Sequence, residues 1–140
     1  MASAPDKLAP LRTIKDGDDV VAIVLRRRYD HAGLTFITPD DFPMQMGYMK
    51  HPRGHVIRAH MHNAVARTVK ATMEALFVKR GKVRVDLYRK DRERLESLTL
   101  EDGDVIFLAG GGHGFEVLEE TEIIEIKQGP YLGAKDKTLL

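Results

Sequence analysis

His60 and His62 stand two residues apart, in the run Arg58-Ala-His-Met-His. In a strand, residues i and i+2 point to the same face, so the two imidazoles would lie side by side, as two ligands of one metal ion do. Such a pair alone fits structural histidines equally well. Its company argues for chemistry, because Glu74 and His113 each open a strand-like segment and are flanked by apolar residues. Three neutral imidazoles and one carboxylate suit a single divalent transition metal, Fe, Mn, Ni, Zn or Co, with positions left for water or substrate. The chain has no cysteine, which excludes thiolate metal sites, iron–sulfur clusters, disulfides and cysteine nucleophiles.

Positive charge accompanies these donors. By strand parity Val56, Arg58, His60 and His62 share a face, so Arg58 would point toward the ligands. There its planar guanidinium could grip a carboxylate or phosphate in the catalytic step, or pair with an internal carboxylate such as Glu116 or Glu125. Arg67 and Lys70 lie between His62 and Glu74 and are the further candidates for substrate binding. His31, His51 and His55 read as surface residues, and Met44, Met46 and Tyr48 as a packing stripe. The glycines at 110–112 lack the Lys-Ser/Thr of a phosphate loop.

The elements that must position these side chains read as strands. Short apolar runs at 20–25, 34–37, 44–49, 55–62, 75–79, 82–88, 96–100, 105–108, 115–118 and 122–127 are separated by turn residues. Val83, Val85 and Leu87 alternate with Arg84, Asp86 and Tyr88, a period of two, and the charged stretch 89–95 reads as a hairpin tip. Many short strands with glycine turns predict an antiparallel sandwich or barrel. One stretch competes: Val65, Val69, Met73 and Leu76 follow a helical spacing, so residues 63–73 are read as a flap or a short helix. Residues 1–17 read as an arm or lead-in to the first strand, 18–128 as the β domain and 129–140 as a polar tail.

The histidine segment resembles the first motif of the cupin family. Gly54, five residues, His60-Met-His62, then Glu74, six residues and Gly81 carry the likeness. Gly103, a five-residue strand, Ala109 in the place of the motif's proline, a glycine turn and His113 resemble the second motif. The gap of eleven residues between His62 and Glu74 is longer than the motif usually has. The resemblance covers 54 to about 117 and implies an all-β fold, a double-stranded β-helix or jelly-roll barrel. It also implies that His60, His62, Glu74 and His113 hold one metal inside it.

The 140 residues suit one domain, and 22 basic against 21 acidic side chains leave a net charge of +1. That balance points to no nucleic-acid or membrane partner. No apolar run approaches a membrane span, and Met1–Lys7 lacks the apolar stretch of a leader, so the expectation is a cytoplasmic protein. The apolar first strand and the fold's exposed edges predict a homodimer. The leading functional expectation is a metal-dependent enzyme acting on a small anionic metabolite, of oxygenase or isomerase/lyase type. The alternatives are a non-catalytic metal- and sugar-binding module and a metal-free sugar-nucleotide isomerase. Fold does not decide among them; the site must.

Overall fold

The computed structural model describes residues 6–140. The first five residues of the expected 1–17 arm, and most of the stretch read for a leader, lie outside the described residues. Ten strands follow in chain order: β1 (Leu11–Asp16), β2 (Asp19–Leu25), β3 (Gly33–Phe36), β4 (Gly47–Lys50), β5 (Glu74–Arg80), β6 (Lys82–Tyr88), β7 (Arg94–Glu101), β8 (Val105–Leu108), β9 (Gly112–Val117) and β10 (Glu122–Lys127). A single 3₁₀ turn at Gly133–Asp136 is the only helical element among the described residues. The chain divides into two compact units, Asp30–Lys70 and the remainder.

The larger unit is built from two antiparallel sheets, ordered β1-β2-β8-β5-β10 and β7-β6-β9. Neither closes into a barrel, so the all-β reading stands at the level of sheets packed on a shared core. Val83, Val85 and Leu87 are fully buried, as their alternation dictates. They meet Val21, Val24, Leu76, Val78, Ile106 and Leu108 from the larger sheet and Leu98 and Leu100 from their own in one apolar cluster. Burying a side chain of this size stabilises by about 1.5–3 kcal/mol. The charged stretch after β6 does turn the chain, with Arg89 N donating to Glu93 O.

One pair of sheet edges is clamped. Arg12 on β1 grips Glu96 on β7 through both terminal nitrogens, at 2.5 Å each. Residues 11–16, read with the lead-in, thus form an edge strand paired along β2. The strands β9 and β10 are edges as well, and there the inward face is open. Val117 and Phe115 lie opposite Val83 and Val85 in register, yet are 60% and 39% exposed.

Gly81 carries the chain from β5 in one sheet to β6 in the other. Its φ is +111°, and a Cβ there would lie 2.5 Å from the carbonyl oxygen of Glu120. Gly81→Ala is therefore expected to cost about 2 kcal/mol, from backbone strain and displacement of the 120–121 turn. A urea midpoint equal to the wild type's would contradict this.

In the smaller unit β3 pairs with β4, and Gln45 organises the intervening loop. Its Oε1 accepts from Thr38 Oγ1 at 2.7 Å, and its Nε2 donates to the carbonyls of Pro39 and Phe42 at 2.9 Å. Residues 51–70 are exposed and contain neither strand nor helix. The strand expected over 55–62 does not form, because a strand's backbone groups need a ladder partner and this segment pairs with none. The helix considered for 63–73 does not form either. Thr68, Val69 and Thr72 are β-branched, which disfavours it, and Glu74 opens β5.

Candidate metal centre

Glu74 begins β5, where it lies opposite Leu108 of β8 and Lys127 of β10. It shares its face with Leu76 and Val78, so the chain's alternation turns a carboxylate inward at the end of the core. His113 on β9 lies opposite Leu87 and faces the same interior. The two meet, His113 Nε2 standing 2.8 Å from Glu74 Oε1, with the glutamate side chain 11% exposed. Phe115, two residues along β9, sets its ring 5.5 Å from the imidazole.

A second carboxyl completes this cluster. Glu125 and Lys127 of β10 share the face of Ile123, which packs on the core, and Glu125 hydrogen-bonds Glu74. The hydrogen bond from His113 lowers the Glu74 pKa from 4.5 to about 2. Burial opposes this shift, while the bond from Glu125 and the charges of His113 and Lys127 reinforce it. Glu125 moves the other way, raised by its hydrogen bond to Glu74 and by burial. The pair thus places the negative charge on Glu74 in preference to Glu125. Sequence reading offered Glu125 only as a partner for Arg58; the alternation of Ile123, Glu125 and Lys127 carried the signal for its place here. Glu116, the other suggested partner, instead accepts from Arg84 at 2.9 Å.

Glu74 and His113 are donor types that a divalent metal takes. Two ligands at right angles on a cation with bonds of about 2.0–2.2 Å stand about 3 Å apart, close to the Glu74–His113 spacing. Glu74 is in the ionised form that a cation requires.

His60 and His62 lie in the smaller unit, their ring centroids 5.2 Å apart in an edge-to-face arrangement. His60 Nδ1 is 2.8 Å from the carbonyl oxygen of Arg58. A carbonyl only accepts, so Nδ1 carries the hydrogen and Nε2 keeps its lone pair for a ligand, the usual second contact of a metal-binding histidine. Arg58, Arg67 and Lys70 are exposed in the same unit. His51 and His55, read as surface residues, stack at 4.0 Å. The four candidate ligands thus fall into two adjacent pairs, one in each unit. Within neither unit do three or more His, Asp or Glu side chains stand ready for a cation, among the described residues. Comparison of the chain with protein-family models, curated proteins and solved structures finds no match.

Proposed function

We propose that this protein is a divalent-metal-dependent enzyme of the cupin type acting on a small anionic metabolite, with His60, His62, Glu74 and His113 as metal ligands. The observation that carries the reading is the Glu74–His113 pair, an ionised carboxylate and an imidazole 2.8 Å apart at the open end of a β core. A bound Fe, Mn, Ni, Zn or Co ion supplies Lewis-acid or redox chemistry there. Glu125, its pKa raised, lies beside Glu74, Lys127 adds positive charge, and Phe115 sets an apolar ring beside His113. Arg58, Arg67 and Lys70 are the groups for the substrate's negative charge. Oxygenase and isomerase or lyase chemistry both suit this set.

The same pair favours a second reading. A histidine held by a buried carboxylate is also an acid–base dyad, as a metal-free isomerase would use. Metal content separates the two. Protein purified without an affinity tag is expected to carry about one equivalent of a transition metal, and His60→Ala, His62→Ala and His113→Ala to lose most of it. The proposal fails if the single variants each retain a full equivalent. Wild type that binds no transition metal, yet loses activity in His113→Ala, would establish the dyad instead.

A further inference from the structure

A cavity of about 1050 Å³ lies at the other end of the larger unit from Glu74. Gly81, in its wall, follows β5, which Glu74 opens; a strand of that length separates the two by about 20 Å. The cavity's lining includes the cations Lys7, Arg12, Arg26, Arg27 and Arg28.

Two of these guanidiniums are fixed. Arg26 Nη1 donates to Asp104 Oδ2 at 3.0 Å and to the Thr99 carbonyl at 2.6 Å. Arg12 is held by Glu96, its side chain only 10% exposed, and its Nε is buried with no acceptor. Arg27 is placed from both ends. Its backbone N donates to Asp104 Oδ1 at 2.9 Å, and its stem lies on Gly103, where a Cβ would come within 2.8 Å of its Cγ and Cδ. Four of the five lining carboxylates are engaged: Glu96 and Asp104 by these arginines, Glu101 by Lys82 at 3.4 Å, and Asp102 by the backbone N of Gly81; Glu119 is the fifth. Arg27 and Arg28 are exposed, while of the lining carboxylates Glu96 and Asp104 are held in ion pairs and Glu101, Asp102 and Glu119 are exposed.

We infer that this cavity is an oxyanion-binding site, distinct from the Glu74–His113 centre, that takes a small molecule bearing a phosphate or carboxylate. Arg27 and Arg28 supply forked donors for the anion.

The test is calorimetric titration of the full chain, stripped of metal by chelation, with inorganic phosphate and separately with malonate. Saturable binding of at least one probe is expected, weakened about tenfold or more in the Arg27→Gln/Arg28→Gln double variant and unchanged in Lys90→Gln. The probe that binds more tightly distinguishes a phosphate ligand from a carboxylate. Both substituted arginines are exposed, so the double variant is expected to fold, with an unchanged urea midpoint. No saturable binding of either probe overturns the inference, as does equal binding by the double variant. An equal loss in Lys90→Gln would do the same, since it would show only diffuse attraction to surface charge.

Discussion

Asp104→Ala is expected to destabilise the protein by about 3–5 kcal/mol, the usual effect of breaking a buried ion pair from one side. The Asp104 side chain is 8% exposed and that of Arg26 is 13% exposed. Its oxygens accept from Arg26 Nη1, from Arg27 N and from Glu101 N, so alanine orphans two backbone donors as well as a guanidinium. Only the Thr99 carbonyl would remain to Arg26 among its hydrogen bonds described above. The same aspartate's backbone joins the turn before β8 to Val78 of β5, whose N donates to the Asp104 carbonyl at 2.9 Å. In urea the midpoint should fall with the slope unchanged, and melting should drop by roughly 10 °C. Arg26→Met on the alanine background removes the stranded charge and is expected to restore part of the loss. A single-variant loss below about 1 kcal/mol would show that water readily replaces the aspartate.

What the sequence made legible, and what it hid, follows the range of the forces involved. The alternation of Val83, Val85 and Leu87 and the unbroken apolar run of β2 are local patterns, and both strands stand where those patterns lie. The β1 strand was obscured because Arg12, Thr13 and Lys15 interrupt its apolar residues. What holds it is pairing with β2 and a clamp to Glu96, 84 residues away. The segment 55–62 shows the converse. His55, Val56 and Ile57 look strand-forming, but propensity without a paired neighbour leaves the backbone unladdered. For the site, Glu74 and His113 were legible as donor types, and their adjacency is a product of sheet register. Glu125 was hidden by residue type, because a glutamate on an edge strand looks like ordinary surface charge until the inward face of Ile123 is known.

Acid should expose the Glu74 contribution most directly. In metal-free protein the Glu74 pKa is about 2 when folded, against 4.5 for an unperturbed glutamate. A folded pKa below the unfolded one means that ionised Glu74 stabilises the fold above pH 4.5. That stabilisation is lost as pH falls from 4.5 through 2. The shift corresponds to at most about 3 kcal/mol, an upper bound that its coupling to Glu125 and screening by solvent reduce. Glu125 works in the opposite sense: its pKa is raised, so its contribution is present at low pH and fades as pH rises through its folded value. Its side chain is 49% exposed, so solvent screens that contribution and Glu74 governs the acid limb. Glu74→Gln keeps the shape and removes the titration. Urea unfolding of wild type and Glu74→Gln between pH 2 and 6 should therefore show a stability difference that shifts by up to about 3 kcal/mol as pH falls, with the wild type losing the more. A difference that stays constant across that range would mean that Glu74 titrates alike folded and unfolded, and that the hydrogen bond from His113 does not hold it ionised.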